Sequence, residues 1–338
     1  MTQYIDGYEQ PGARPPRRRR HPVRTAMLVL LVLLLTAVLV AGGYLWSLAH
    51  SFDSGTTTIE NALPADSPAK DPAAGNSQNI LLIGTDSRDP GSEASRSDTM
   101  MLLHVPGDRS TAYVMSIMRD TWTEIPGYGE GKINSAMAQG GVPLAVGAVQ
   151  TMLDAPIDHV AIVDFEGFSG LTDALGGVEV NNPAAFSSSI ADDHFPAGVV
   201  SLDGDSALNF VRERYAFADG DYQRVRNQQI FLSGLISEVL SKETLLNPVK
   251  VSKAVSEISP YLSVDEDLNA VAAGKLAFSL RSLRGNNLMM FTLPTLGTGT
   301  SSDGQSIVVK DETAIADIAE ALDNDAMAEY LAANNGGL

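Results

Sequence analysis

Three short apolar runs between residues 79 and 134 each carry acidic and basic side chains at or near one end. Runs of this length predict buried strands, and sites in open α/β sheets usually lie at strand ends. Paired carboxylates beside several guanidinium groups suit a divalent cation on a phosphate, with arginine forks binding the other phosphoryl oxygens. A single Asp–Arg pair is more often a surface salt bridge, so the recurrence at three strand ends favours a site. The charged residues are Asp86, Arg88, Arg96, Asp98, Arg119 and Asp120.

A second polar group precedes and opens a helix predicted over residues 219–240. Within that helix an acid, an arginine and a glutamine stand at i, i+3 and i+7 and share one face. Two further arginines precede the helix, two residues apart, and project from one face if their segment is extended. We interpret the group as an anion clamp, with surface decoration of a helix as the alternative. The residues are Arg212, Arg214, Asp221, Arg224 and Gln228.

The net charge of −18 hides an asymmetry along the chain. Residues 1–24 hold six arginines against two acidic residues, so the acidic excess lies in the rest of the chain. This balance argues against nucleic-acid binding, and an acidic body that binds phosphate must concentrate its cations in one place. The absence of cysteine excludes disulfides, zinc–thiolate sites and cysteine nucleophiles.

Residues 26–49 form an uninterrupted run of 24 uncharged residues, long enough at ~1.5 Å per residue to cross a ~30 Å hydrocarbon layer. Arginines before the run and acidic residues after it predict a single-pass protein of the cell membrane with a cytoplasmic N-terminus. A cleaved signal peptide is the alternative, but the run exceeds a usual h-region. The predicted organisation is a disordered basic tail at 1–24, a transmembrane helix at 25–49, a linker at 50–78 and an extracytoplasmic catalytic domain at 79–338.

Strand-like and helical patterns alternate from residue 79 to about 180. This order predicts an α/β domain with a central mixed sheet covered by helices on both faces. Further along, one helix is predicted over 311–334, and a solvated loop, in preference to a calcium site, over 181–204. A stretch of small residues at 297–304 predicts a solvent-facing loop.

Together these motifs resemble the LytR-CpsA-Psr phosphotransferases of Gram-positive cell envelopes. Order and spacing agree from about residue 79 to 240, and more weakly to the C-terminus. The family has a three-layer α/β catalytic domain outside the cell behind a single span. The matching motifs are Gly84-Thr85-Asp86-Ser87-Arg88, Arg96-Ser97-Asp98-Thr99, Arg119-Asp120-Thr121, Ile125-Pro126-Gly127, Lys132-Ile133-Asn134, Leu175-Gly176-Gly177-Val178, Arg212-Glu213-Arg214 and the helix from Asp221 to Gln229.

The resemblance implies a phosphotransferase that moves a glycopolymer from a polyprenyl-pyrophosphate carrier to peptidoglycan, generally to a muramic acid hydroxyl. By the same resemblance, Asp86 and Asp98 would hold a magnesium or manganese ion against the pyrophosphate. The implied pyrophosphate-binding residues are Arg88, Arg119, Arg212, Arg214, Arg224, Gln228 and Asp221, and the implied catalytic residues are Arg88, Arg96, Asp98, Arg119 and Arg224.

The implied polyprenyl chain needs an apolar groove beside the arginines, because its carbons cannot stay in water. The sheet needs apolar residues on both faces, so the groove must come from helices that stand off it, predicted over 143–153, 167–175 and 230–240. For any one candidate the alternative, a place in a closed core, is the more common case, but as a set they predict a cavity long enough for several isoprene units. The candidate groove residues are Val146, Val149, Phe168, Leu171, Phe231 and Leu235.

Two rival functions stay open. A hydrolase of the same lipid pyrophosphates needs an identical site, with water in place of the sugar hydroxyl. A non-catalytic envelope protein that binds anionic polymer, or a membrane-bound regulator, needs the arginines without the metal. The paired Asp86 and Asp98 therefore argue against the second rival.

Overall fold

The chain divides after Ser47 into two compact units, the first containing most of the N-terminal helix and the second containing the end of that helix and an α/β domain. The structure, a computed structural model, describes residues 22–85, 97–281, 283 and 287–334. Helix α1 (Pro22–Gly55) contains a stretch, Leu30–Gly55, that is long and apolar enough to cross a membrane. Within the described residues it is the one helix with this property.

The strands and helices follow the predicted alternation in the first half of the domain. The strands are β1 (Thr57–Ile59), β2 (Gln78–Thr85), β3 (Ser97–Val105), β4 (Ala112–Ile117), β5 (Trp122–Ile125), β6 (Gly129–Lys132), β7 (His159–Asp164), β8 (Val178–Asn182), β9 (Phe186–Ser187), β10 (His194–Phe195), β11 (Gly198–Leu202), β12 (Leu262–Asp265), β13 (Leu288–Thr292), β14 (Thr295–Thr300) and β15 (Ser306–Lys310). The helices are α2 (Ser135–Leu153), α3 (Phe165–Ala174), α4 (Gly204–Arg212), α5 (Asp221–Val239), α6 (Lys242–Leu245), α7 (Pro248–Ile258), α8 (Ala270–Ser279), α9 (Glu312–Asp323) and α10 (Met327–Ala333).

A seven-stranded mixed sheet forms the centre of the domain, in the order β1-β12-β7-β2-β3-β4-β13. Strands β2, β3 and β4 are antiparallel neighbours, whereas β2 pairs with β7, and β4 with β13, in parallel. The predicted mixed sheet is thereby confirmed. Because β3 runs against β2 and β4, its first residues lie at the sheet edge where β2 and β4 end.

Helices cover both faces of this sheet, as predicted. On one face, Leu81 and Leu102 share a core with Val149 of α2, and α9 and α10 add to the same layer. On the other face, Met101 packs with Leu232 of α5. Successive strand residues point to opposite faces, so the apolar runs of the central strands supply both cores.

The segment between α1 and β2 differs from the predicted linker at 50–78, because it packs against the domain. Strand β1 pairs in parallel with β12, and Ala62 and Ala74 are 2% and 3% exposed. A three-residue edge strand and isolated alanines carry no hydrophobic periodicity, so the sequence pattern does not reveal this contribution.

Three other segments differ from their predictions. The first half of residues 297–304, predicted as a loop, lies in β14, which pairs with β15. The predicted helix over 311–334 is two helices, α9 and α10, and Asp325 between them has a φ of 52°. The predicted loop at 181–204 contains β9, β10 and β11.

Candidate functional site

Asp98 and Arg119 form the first part of the site, at one edge of the sheet. Asp98 is the second residue of β3, and Arg119 follows β4 after the buried Met118. Since β3 and β4 are antiparallel, the start of one lies beside the end of the other, and Arg119 Nη1 donates to Asp98 Oδ1 over 2.9 Å. The side chains of Arg119 and Asp98 are 23% and 31% exposed, so a ligand can reach both.

Asp221, the first residue of α5, lies at the centre of the arginines. Its Oδ2 is 3.3 Å from Arg224 Nη2 and 3.8 Å from Arg119 Nε. Its Oδ1 is 3.5 Å from Arg214 Nη1. Arg224 is one turn after Asp221 on the predicted helical face, whereas the other two arginines come from different elements. Three guanidinium groups therefore converge on one carboxylate.

Two guanidinium nitrogens in this cluster have no hydrogen-bond acceptor among the described residues. They are the buried Nε atoms of Arg119 and Arg224. Arg224 is 8% exposed, and burial lowers its pKa against the opposing effect of Asp221. A buried donor without an acceptor costs about 1–3 kcal/mol, and more when the group is charged. The arrangement therefore favours an anion whose oxygens accept both N–H groups.

Gln228 and Arg212 make different contacts. Gln228 Nε2 donates to Thr99 Oγ1 over 2.9 Å, which joins α5 to β3 beside Asp98. The guanidinium carbon of Arg212 lies 4.7 Å from the centroid of the Phe165 ring, and its side chain is exposed. The structure thus brings together six of the predicted residues, and places Arg212 on an aromatic ring instead. The six are Asp98, Arg119, Arg214, Asp221, Arg224 and Gln228.

Residues 210–215 are not one extended segment, so the condition for Arg212 and Arg214 to project from one strand face is not met. Helix α4 ends at Arg212, and the extended backbone begins at Glu213. Asp203 caps this helix, which buries an apolar face with helical spacing. The helical pattern of apolar residues begins before Arg212, and the helix includes Arg212, so this residue belongs to α4 and not to an extended segment.

Glu213 is a residue that sequence reasoning missed. It is 0% exposed, and its carboxylate accepts hydrogen bonds from Ser189 and from the backbone N–H groups of Arg214 and Tyr215. Burial raises the pKa of this carboxyl, but the hydrogen bonds outweigh burial and lower the pKa to about 2. Glu213 therefore fixes the turn that presents Arg214. The signal in the sequence is an acid between two arginines after an apolar pair.

Asp120, one of the predicted strand-end residues, and Lys132, predicted only as part of a motif, extend the cluster. Lys132 Nζ lies 3.4 Å from Asp120 Oδ1, and Arg119 Nε lies 4.0 Å from the same oxygen. In the described part of the cluster, four cations face three carboxylates, which leaves one net positive charge. Outside the described residues lie Asp86, Arg88 and Arg96.

Of the two predicted metal ligands, the described residues contain Asp98. Within them there is no group of three or more His, Cys, Asp or Glu side chains that would hold a metal. A magnesium ion usually takes one or two carboxylates and completes its coordination with substrate phosphates and water. Asp98, partly exposed beside the guanidinium donors, fits that kind of site and not a closed one.

An apolar cavity of about 210 Å³ adjoins the polar cluster. It lies between the sheet and helices α3, α4 and α5, and Thr99 and Gln228 line both the cavity and the cluster. Three of the predicted groove residues line it, namely Phe168, Phe231 and Leu235. An apolar chain in this cavity would end beside the arginines.

The prediction that Val146 and Val149 line the groove is wrong. Both are 0% exposed and lie in the closed core on the opposite face of the sheet, against which α2 packs. Leu171 of α3 is half-buried and is not one of the residues that line the cavity. Hydrophobic periodicity identifies the apolar face of a helix, but not the face of the sheet that the helix covers.

A mixed α/β domain with buried guanidinium donors beside an apolar cavity defines a class of protein whose site suits a ligand that joins an anionic group to an apolar chain. Comparison with known families identifies the particular family. The chain belongs to the LytR_cpsA_psr family, whose model matches residues 47–324. The resemblance carried by the motifs is thereby confirmed.

Individual relatives and solved structures agree with this membership. The chain is 34% identical over 301 residues to the polyisoprenyl-teichoic acid–peptidoglycan teichoic acid transferase TagU of Enterococcus faecalis, covering 88% of this chain and 94% of the relative. The crystal structure of B. subtilis TagV has a TM-score of 0.64 at 23% identity, covering 74% of this chain and 97% of that one, and shows the fold. The structure of TagT bound to LI-WTA has a TM-score of 0.61 at 27% identity, covering 75% and 92%.

Proposed function

We propose that the chain is a transferase that moves a glycopolymer from a polyprenyl-pyrophosphate carrier to peptidoglycan. The observation that carries the proposal is the pair of buried Nε donors of Arg119 and Arg224 beside an apolar cavity. A polyprenyl pyrophosphate supplies oxygens for the donors and a hydrocarbon chain for the cavity. The similarity to a polyisoprenyl-teichoic acid–peptidoglycan teichoic acid transferase supports the same classes of donor and acceptor.

In this proposal the pyrophosphate binds between the sheet edge and the start of α5. The Nε atoms of Arg119 and Arg224 donate to its oxygens, and Arg214 adds positive charge. Asp98 and Asp221 hold the guanidinium groups in place before the substrate arrives. The polyprenyl chain occupies the cavity, at ~0.8 kcal/mol per buried CH₂. The proposed binding set also contains Arg88, Arg96, Arg212 and Gln228.

The transfer exchanges one phosphorus–oxygen bond for another. A hydroxyl of peptidoglycan attacks the phosphorus that carries the glycopolymer and loses its proton, and the bond from that phosphorus to the polyprenyl phosphate breaks. The products are a phosphodiester-linked glycopolymer and polyprenyl phosphate. Negative charge develops on the leaving phosphate, where the preorganised Arg119 and Arg224 stabilise it.

We further propose that Asp98, together with Asp86, holds a magnesium or manganese ion against the pyrophosphate. Such an ion, when bound, neutralises phosphate charge and orients the displacement. Asp98 is partly exposed and contacts Arg119, which supports a position for this carboxylate beside the phosphates. Asp98 would then have two roles, since it also holds Arg119 in place.

The same proposal includes an orientation in the membrane. The arginines within residues 1–24 precede the apolar stretch of α1, and acidic residues follow it, which favours a cytoplasmic N-terminus. Helix α1 would then be a single-pass anchor, with the α/β domain outside the cell. The site would face the compartment that contains peptidoglycan.

Incubation of the purified full-length protein with a polyprenyl-pyrophosphate-linked glycopolymer tests the transfer. With a peptidoglycan oligosaccharide present, we expect glycopolymer joined to glycan through a phosphodiester, detected by mass spectrometry. Asp98→Asn should abolish this product, whereas Glu124→Gln, at an exposed position of β5, should not. Release of glycopolymer phosphate at equal rates with and without acceptor would identify a hydrolase, and absence of both products would remove the enzymatic function.

A further inference from the structure

Helix α8 is an apolar helix that the domain leaves uncovered. It contains one charged residue, Lys275, and none of its residues is buried. Val271 and Phe278, seven residues apart and so on one face, are 62% and 67% exposed. A cavity of about 780 Å³ lies between α8 and the sheet residues Gln78 and His159, and the N-terminal part of the same face, at Val271 and Lys275, borders its mouth, whereas Phe278 does not. Exposed apolar surface of this kind on a folded domain marks a site of contact with a membrane or with another molecule.

The end of α1 is hydrogen-bonded to the start of α8. Asp53 Oδ1 accepts a hydrogen bond from the backbone N–H of Ala270 over 2.7 Å, so the first residue of α8 is bonded to the end of α1. Asp53 is four residues beyond the uncharged run 26–49, which is ~6 Å along a helix. With the uncharged run as the membrane anchor, the start of α8 is therefore bonded to a residue only four positions along the chain from the end of that run.

We infer that α8 lies on the surface of the lipid bilayer, with Val271 and Phe278 at the boundary between head groups and acyl chains. Interfacial helices place Phe and Leu at this boundary and Lys and Arg among the head groups. Lys275 is on the same face as the two apolar residues, and its long stem lets its ammonium reach the head groups. The guanidinium carbon of Arg281 lies 4.1 Å from the centroid of the Phe278 ring, which puts a second cation at the same level.

The inference that α8 docks on the bilayer rests on the proposed function. It adds to that function an estimate of how far the site lies from the membrane surface. Gln78 lines the cavity behind α8, and Thr85, at the other end of β2, pairs with Ser97 beside Asp98. At ~3.3 Å per residue, the site lies roughly 23 Å from the α8 end of the sheet. Leu82, between the two ends, lines the apolar cavity. A polyprenyl chain that rises from the bilayer therefore meets an apolar cavity before it reaches the arginines.

Single cysteines test the docking directly, because the chain has no cysteine of its own. Phe278→Cys and the control Leu296→Cys are each labelled with an environment-sensitive fluorophore in the full-length protein, reconstituted into phosphatidylcholine vesicles. Leu296 is matched in exposure, at 71%, and lies near the start of α5, where Tyr222 Oη is 3.0 Å from Thr295 Oγ1. Doxyl-labelled phosphatidylcholine should quench the label at 278 severalfold more strongly than the label at 296.

Equal quenching at the two positions would overturn the inference. A second outcome would also overturn it: fluorescence of the label at 278 that changes with the number of protein molecules per vesicle and does not change with the content of doxyl lipid. That result would identify a second copy of the chain as the molecule that covers α8. This measurement needs no turnover, so its failure is distinguishable from failure of the proposed transferase activity.

A second variant tests the consequence for the reaction. Phe278→Glu should reduce turnover of a donor embedded in the vesicle and leave turnover of a short-chain, water-soluble donor unchanged, with circular dichroism to verify the fold. Unchanged turnover of the embedded donor would overturn the role of α8 in presenting the site.

Discussion

The Nε atoms of Arg119 and Arg224 define what the site binds at the scale of single residues. Both guanidinium groups are anchored through Nη atoms, Arg119 to Asp98 at 2.9 Å and Arg224 to Asp221 at 3.3 Å. A guanidinium group is planar, so an anchor at Nη restricts where its Nε points. The two Nε donors, buried and without acceptors among the described residues, are thereby aimed before a ligand binds.

Arg119→Lys should lower the rate of glycopolymer transfer ~10²- to 10³-fold, the loss typical of removing one preorganised contact to developing charge. An ammonium keeps the charge, but it cannot bond Asp98 and a phosphate oxygen with the planar geometry of the guanidinium group. The matched control is Arg226→Lys, because Arg226 pairs with Asp219 and both side chains are 47% exposed. The measurement is the initial rate of transfer by each variant. A near wild-type rate for Arg119→Lys would mean that Arg119 is only a structural ion-pair partner of Asp98.

At the scale of elements, the connection between α4 and α5 determines where Arg214 lies. This connection, residues 213–220, has no regular hydrogen-bond ladder of its own, so its backbone donors need other partners. The Glu213 carboxylate accepts from three consecutive N–H groups after it and from Ser189 on a neighbouring segment. The turn is therefore built around one buried charge, and Arg214 reaches Asp221 from it.

Glu213 predicts a specific dependence of stability on pH. Its pKa is lowered from 4.5 to about 2 by folding, so its stabilisation is complete above about pH 4.5 and is lost as the pH falls toward 2. Glu213→Gln should lower the free energy of unfolding at neutral pH by on the order of 2 kcal/mol, and this difference should narrow below about pH 4.

Urea denaturation of the wild type and the variant at neutral pH and at about pH 3 measures this effect. The control is Glu130→Gln, at an exposed position of β6, which should change stability at neither pH. A difference between wild type and Glu213→Gln that stays constant across the range would contradict the assignment, because the lost interaction would then not depend on the carboxylate charge.

At the scale of the whole α/β domain, the two faces of the sheet are filled to different extents. Helices α2, α9 and α10 close one face with a continuous core, whereas α3, α4 and α5 leave an apolar cavity of about 210 Å³ on the other. Protein interiors are normally packed as densely as organic crystals, with few voids. An apolar cavity that opens beside the arginines is therefore where the hydrocarbon chain of the proposed donor would bind.

Two alanine-to-leucine substitutions on opposite faces test this asymmetry. Ala161 of β7 lines the cavity, so Ala161→Leu should fill it, keep or raise the melting temperature, and raise the KM for a long-chain donor. Ala148 of α2 is 0% exposed in the closed core, so Ala148→Leu should cost about 1–3 kcal/mol of stability without selecting against long chains. Thermal unfolding and KM values for short- and long-chain donors are the measurements. An unchanged KM for the long-chain donor in Ala161→Leu would place the lipid elsewhere.

The sequence by itself determined the local elements of this protein. Apolar runs predict β2, β3 and β4, and the structure has all three. The spacing of Asp221, Arg224 and Gln228 predicts that they share a face of α5. In the structure that face contacts the end of the central strands, through Asp221 to Arg119 and through Gln228 to Thr99. The membrane-length apolar run and the motifs of the family are likewise properties of residues close together in the chain. Such features depend on interactions within a few residues, which periodicity and side-chain type record.

Only the tertiary structure decided how these elements meet. Arg119 and Arg224 are about a hundred residues apart, and strand register and the packing of α5 bring both to Asp221. The face of the sheet that α2 covers, and hence the side on which the cavity opens, depends on how all the layers pack. The role of Glu213 emerges only when every buried donor and acceptor is assigned a partner. These outcomes depend on the free energy of the whole folded chain, which cannot be read from any short segment of the sequence.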